Sequence, residues 1–245
     1  MGNVAKDIRV YVDQYNISSA FKSAKPSASV DMLDSTTFGA SGAHTFNAGL
    51  KNATLQLEGF FDFDNVLLNR IDNVLQAALT GGAPHVVTVA SLPTGDLLGN
   101  RAILLSANEA KYDVDSVEGQ LITSMAELQS ASGYDSGIFL HPLQAETATG
   151  NAASQDNGTS SAGGGVAHLH IPAASGTTPT ITVKVQHSTD NITFVDLVTF
   201  NAATGAGVQR VELAAGTTVN RYVRVTFTIG GTTPSFTFAV AFARR

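Results

Sequence analysis

The chain has no cysteine and no tryptophan, only three methionines, and charged residues at just 14% of its 245 positions. Without cysteine it can form neither disulfides nor thiolate metal centres. No stretch approaches the ~18 consecutive apolar residues that a membrane helix requires. Met1-Gly-Asn-Val-Ala-Lys6 holds no apolar run of a secretory signal, and Lys6 stands where a myristoylation site needs Ser or Thr. The expectation is therefore folding in a cytosol. A net charge of −6 gives no support to a role in coating nucleic acid. Hydrophobic residues make up 43%, enough to bury a core. Ser, Thr, Asn and Gly supply the missing polarity, a composition that suits a surface largely covered by neighbours.

The charge is unevenly spread. Residues 1–141 hold 15 acids against 8 bases, whereas residues 166–245 hold 3 against 6. Between them, residues 144–165 are Gly, Ser, Ala, Thr and Asn in the main, and read as a flexible linker. The expected organisation is a first module at 1–143, a linker at 144–165 and a β-sandwich at 166–245.

Alternation of period two dominates. Ile8, Val10 and Val12 mark a strand with one buried face, opposite Arg9 and Tyr11. Residues 22–36 fit either a loop or a long hairpin. Leu55 and Leu57 alternate with Thr54, Gln56 and Glu58, and Gly59 then interrupts, as at a bulge or a close backbone approach. Strands are expected at 85–91, 101–113 and 117–129. One helix stands out: Val66, Leu67, Ile71, Val74, Leu75, Ala78 and Leu79 share a face, with Asp64 as cap, Asp72-Asn73 on the polar side and Gly81-Gly82 at the end. From Val166 onward six strands are expected, at 167–171, 180–186, 193–200, 207–213, 221–229 and 235–243. Turns fall among them at Ser175-Gly176 and Gly230-Gly231. Val223, Val225, Phe227 and Ile229 would face Phe236, Phe238, Val240 and Phe242 across the core. The fold class is mainly β.

Candidate chemistry is thin. His168-Leu-His170 puts two imidazoles on one strand face, half of a zinc site, but without an acidic partner nearby a structural or solvent-exposed pair is the stronger reading. Asp62 with Asp64, and Asp113 with Asp115, are better explained as caps and turns than as acid–base pairs. Asp34 should hydrogen-bond its own turn. The glycines from Gly158 to Gly165 follow no strand and open no helix, so they form no phosphate loop. No Gly-x-Ser-x-Gly elbow is present. Tyr134 and Tyr222 are the aromatics available for stacking on a sugar. Nothing calls for a cofactor, a metal or an enzymatic activity.

One segment is distinctive. Asp34-Ser-Thr-Thr-Phe-Gly39, then Gly49-Leu-Lys51, then Leu55-Gln-Leu-Glu-Gly-Phe-Phe-Asp62 resembles the turn, strand and turn of bacteriophage tail tube (major tail) proteins. Val114-Asp-Ser-Val-Glu-Gly-Gln-Leu-Ile-Thr-Ser-Met-Ala-Glu-Leu-Gln129 resembles that family's late strand, so the likeness spans about 7–141. It implies a small β-barrel or sandwich with one flanking helix, copies that close into hexameric rings and stack into a tube, and double-stranded DNA passing through without specific binding. It also implies other phage tail proteins as partners and a place in the virion after assembly in the host cytoplasm. Asp34, Thr37, Phe38, Gly39, Gly49, Leu50, Glu58, Gly59 and Phe60 become the candidate assembly residues. His187-Ser-Thr-Asp-Asn191 and Asn220-Arg-Tyr-Val-Arg224 resemble the Ig-like or carbohydrate-binding-like modules appended to phage virion proteins, which makes a host-surface glycan the partner implied for that module. Tail-completion, baseplate and capsid-decoration roles are the alternatives.

Overall fold

A computed structural model describes residues 7–39, 42–61, 71–90, 95–130 and 133–245. The strands are β1 (Arg9–Val12), β2 (Tyr15–Asn16), β3 (Phe21–Asp34), β4 (Phe46–Phe60), β5 (His85–Ala90), β6 (Arg101–Asp115), β7 (Thr123–Ser130), β8 (Asp135–Glu146), β9 (Gly150–Asn151), β10 (Gln155–Asp156), β11 (Gly165–Ser188), β12 (Val195–Thr199), β13 (Gly207–Leu213) and β14 (Tyr222–Arg244). Helix α1 covers Ile71–Gly81. The protein is mainly β, and its strands pair antiparallel throughout.

The N-terminal half of the chain packs two sheets. One runs β2-β1-β5-β6 and the other β3-β4-β7-β6, with β6 serving both. Its first half pairs with β5 and β8, and its second half with β7. Val10, Leu55, Leu57, Val87, Leu105 and Leu128 fill the space between, as their alternation predicts. α1 closes this core with Val74 and Leu75, and Gly82 takes φ +68° just after it. Leu79, assigned to the apolar face, is exposed instead, and Asp72, assigned to the polar face, is buried and accepts a hydrogen bond from Tyr112 Oη at 2.8 Å. The expected helix start, with Asp62, Asp64, Val66 and Leu67, lies outside the described residues. The strand expected from 117 begins only at Thr123. Residues 116–122 form a turn with Gly119 at φ +79°, which leaves Val117 and Leu121 exposed.

The second half of the chain departs further from expectation. Four of the six expected strands merge into two long ones, β11 and β14, paired along their lengths. Each bends at the same tetrapeptide, Gly176-Thr-Thr-Pro179 and Gly231-Thr-Thr-Pro234, which lie opposite one another. Gly176 and Gly231 take φ of +114° and +112°, and Thr178 and Thr233 take +47° and +48°. A Cβ on either glycine would come within 2.7 Å of the other strand's backbone, at Thr233 O or Thr178 O. Only glycine accepts both that backbone and that approach. The ribbon therefore folds over, and Val183, Val225 and Phe227 of one layer meet Leu169, Phe236 and Phe238 of the other. The two apolar rows expected on facing strands belong to the two halves of β14. Each fully buried phenylalanine here contributes about 2–3 kcal/mol.

Residues 144–165 are not free chain. β8 runs into them, β9 and β10 pair with β14, and Ser161 bridges Val219. Small polar residues bury little apolar surface, but their backbones satisfy the outer edge of β14. β8 also pairs with the far half of β14, so one sheet runs through both halves of the protein. Where this sheet curls back, a third core forms from Tyr11, Ala90, Ala102, Phe139, Val166 and Ala241. Hence β1 is buried on both faces, and Tyr11, expected outside, is covered.

Candidate assembly surface

The nine candidate residues all lie on or beside the β3–β4 hairpin, but at three separate places. The base of β4, residues 53–60, is held between β3 and β7. Beyond it, residues 46–52 pair with β3 alone among the described residues, so the outer hairpin projects as a two-stranded ribbon.

At the tip, Asp34 does what its position requires. Its Oδ1 accepts from Thr36 N at 2.9 Å and from the Thr36 hydroxyl, and its Oδ2 meets His44 Nδ1 at 3.1 Å. Thr36 Oγ1 in turn accepts from Thr45 N at 3.0 Å. The hydrogen bonds from the Thr36 side chain and backbone, joined by that of His44, hold the Asp34 carboxyl below its usual range. This clasp leaves Thr37, Phe38 and Gly39 standing in solvent, with the Phe38 ring wholly exposed.

Gly49 and Leu50 form the second group. Val30 faces Lys51 and Met32 faces Ala48, so two residues of β4 oppose Asp31 alone. This is a β-bulge, which adds twist and re-aims side chains. A Cβ on Gly49 would sit 3.2 Å from Asp31 and Leu33, and Leu50 is thrown outward, 79% exposed. Val30, Met32, Leu33 and Phe46 add to the exposed apolar surface of the ribbon.

The third group is the hairpin base. Gly59 faces Ala20 O, 2.1 Å from where a Cβ would be, beside a register shift between Phe21 and Ser23. Both readings of this glycine, bulge and close approach, hold. Glu58 pairs loosely with Lys25 at 3.8 Å, and Lys22 lies 5.9 Å from the centroid of the half-exposed Phe60 ring.

Most of the chemical candidates among the described residues have partners within the fold, while Asp62 and Asp64 lie outside those residues. His168 and His170 are fully buried and share Thr88, whose Oγ1 lies 2.9 Å from His168 Nδ1 and 2.8 Å from His170 Nε2. His170 Nδ1 lies 2.5 Å from Asp13 O, a pure acceptor, so it donates there. Its Nε2 then accepts from the Thr88 hydroxyl, whose oxygen accepts from His168. Burial pushes His170 down to about 4 and His168 well below its ordinary value. No cluster of metal-ligating residues occurs among the described residues. Asp113 is engaged by Lys111, Tyr134 packs on the first core, and Tyr222 lies under the Arg221 guanidinium at 4.9 Å.

Two polar features were not anticipated. Tyr11 Oη donates to Asp96 at 2.5 Å, and that carboxylate also accepts Leu143 N at 2.8 Å. Glu109 is buried with neither oxygen hydrogen-bonded, and burial raises its carboxyl to about 8, partly offset by His85. The alternation held a signal for it, because Glu109 follows Ile103, Leu105 and Ala107 on the inward face.

No protein-family model matches the chain, and no curated protein matches it. Among solved structures, it is similar to a chain of the virion of a native gene transfer agent particle, at 14% identity and TM-score 0.44, over 54% of this chain and 97% of that one. It is similar to the SPP1 tail tube at 8% identity and TM-score 0.43, over 55% and 78%. It is also similar to SPP1 Dit, described as a paradigm of the hub adsorption apparatus in phages infecting Gram-positive bacteria, at 11% identity and TM-score 0.38, over 97% and 99%. Likenesses of this strength do not carry function.

Proposed function

We propose that this chain is a structural component of a bacteriophage tail, a tube-type subunit that closes head-to-tail into rings. The observation that carries this reading is where the sequence resemblance falls. The motif residues from Asp34 to Phe60 are the tip, the bulge and the base of one projecting hairpin, whose β3 strand has an open outer edge among the described residues. Among the described residues β3 pairs with β4 alone, whereas the second half of β6, paired with β7, is flanked by α1, whose Asp72 holds Tyr112. The open edge of β3 lets each copy dock on a different surface of the next by a heterologous contact, which forms a closed ring when the rotation fits. Lys22, Lys25 and Pro26 blunt the inner part of the β3 edge, leaving the outer part as the stretch suited to pairing. Phe38 and Leu50 then supply apolar surface for a neighbour to cover.

In this reading the rings are hexameric, stack on one another and on other tail proteins, and enclose a conduit for double-stranded DNA. The acidic first module would repel phosphates, so that DNA slides without sticking. The module at 166–245 is displayed outward. Light scattering and negative-stain microscopy of the expressed protein test the proposal, together with analysis of purified tails. Rings or tubes are expected. A protein that stays monomeric at all concentrations and is absent from tails would sink it.

A further inference from the structure

The outer face of the folded ribbon carries a group of side chains that assembly does not use. β12 pairs with β11 as Val185 with Val198 and next as Gln186 with Asp196, so Leu197 is an extra residue. Leu197 leans on the core while Asp196 and Phe194 reach partners on the outer side, the re-aiming that a bulge produces. Arg224, opposite Gln186 on β14, lays its guanidinium 3.9 Å from the centroid of the Phe194 ring. Its Nε and Nη2 donate to Gln186 Oε1 at 3.0 and 2.9 Å. Gln186 is held by Asp196 Oδ1 at 2.8 Å, and Asp196 Oδ2 takes Lys184 at 2.6 Å.

One edge of the Arg224 fork is therefore committed, while the Nη1/Nη2 edge has no protein acceptor among the described residues. The other cations of this module are matched. Arg221 is bidentate on Asp156 at 2.7 Å, Lys184 meets Asp196, and Arg210 and Arg245 meet Glu212. Arg244 donates to Thr159 O, Val219 O and Ser161 Oγ. A guanidinium already fixed against a ring, with a free edge, is set to take a planar oxyanion by two hydrogen bonds at small entropic cost. Beside it, Lys184, Asp196 and Gln186 offer donors and acceptors on an open face, the mixture that hydroxyl groups need. The strands that carry Arg224 and Gln186 are paired on both sides, so an extended peptide could add only along the outer edge of β12, an outcome that titration with hexaglutamate separates.

We propose that this face binds an acidic saccharide, its carboxylate or phosphate seated on the free edge of Arg224 and its hydroxyls along Gln186 and Asp196. The inference is independent of the assembly reading. Calorimetric titration of the full chain with trigalacturonic acid, mannose 6-phosphate, maltotriose and hexaglutamate tests it. Saturable binding of an acidic saccharide is expected, weakening as salt rises. Which of the two acidic saccharides binds identifies the anion as carboxylate or phosphate. Arg224→Gln should lower affinity at least tenfold with an unchanged thermal melt, and Arg224→Lys, which keeps the charge but not the fork, should lower it less. Should Arg224→Gln melt early, the Arg224 Nε–H resonance of the unaltered protein supplies the readout and should move on titration. Equal binding of maltotriose or hexaglutamate, unchanged affinity in Arg224→Gln, a still Nε–H resonance, or no saturable binding of either acidic saccharide would overturn it.

Discussion

Gly59 and Ala20 meet so closely that a Cβ on the glycine would lie 2.1 Å from the alanine carbonyl oxygen. The contact fixes where the hairpin leaves the first module. Gly59→Ala must push β3 away from β4 or distort the Ser18–Ala20 turn. Overpacking of this kind costs about 1–3 kcal/mol. Thermal melts should fall by several degrees, and an unshifted melt would show that the base of the hairpin yields freely.

The tip should behave in the opposite way. Phe38→Ser and Leu50→Asp alter exposed side chains and should leave monomer stability within about 0.5 kcal/mol of the parent. Light scattering should nevertheless report smaller assemblies. If Leu50→Asp assembles normally, the bulge does not lie at a contact.

Thr88 joins two imidazoles that have little else to bond. Thr88→Val keeps the shape but leaves His168 and His170 each short of a partner. The expected loss is about 1–3 kcal/mol, read from urea unfolding. Equal stability of the two proteins would mean that the hydroxyl is replaceable.

The same histidines set a response to acid. Their folded-state values lie below those of the unfolded chain, so the folded protein binds fewer protons. The stability they contribute is complete above about pH 6.5 and is lost as pH falls toward about 4, where His170 titrates. His170→Gln should flatten this part of the stability profile. A variant whose acid profile follows the parent's would assign the loss to other groups.

Glu109 carries the reverse sign. Its carboxyl titrates near 8 when folded, above the unfolded value, so its contribution is fully present below about pH 4.5 and is lost as pH rises through 8. Glu109→Gln removes the charge, and its advantage over the parent should grow steadily from pH 5 to pH 8. Unfolding curves at pH 5 and pH 8 give the comparison. A gap that stays constant with pH would contradict it.

The features readable from sequence share a property: their cause is local. Leu55 and Leu57 face inward because side chains alternate along a strand, and Asp34 clasps its turn because a carboxylate reaches the amide two residues on. The glycine at position 59 announced a backbone approach without naming Ala20 as its partner. The hairpin over 22–36 stayed one of two options, since its outer strand is exposed and holds no inward row.

Long-range pairing decided the rest. Gly176 and Gly231 read as ordinary turns because nothing within either tetrapeptide reveals that it lies against the other, and only the pairing of β11 with β14 makes both of them bends. Residues 144–165 read as linker because they lack apolar surface, yet the edge of β14 gave their backbones partners. Tyr11 and the two histidines are buried because the sheet curls back upon itself. The sequence by itself determined the inward rows of the longer strands, such as Val10 with Val12 and Leu55 with Leu57, since period and turn chemistry act over a few residues. The tertiary structure alone decided which strands run on, which polar groups lose water and which strand edge stays open, because each depends on partners distant along the chain.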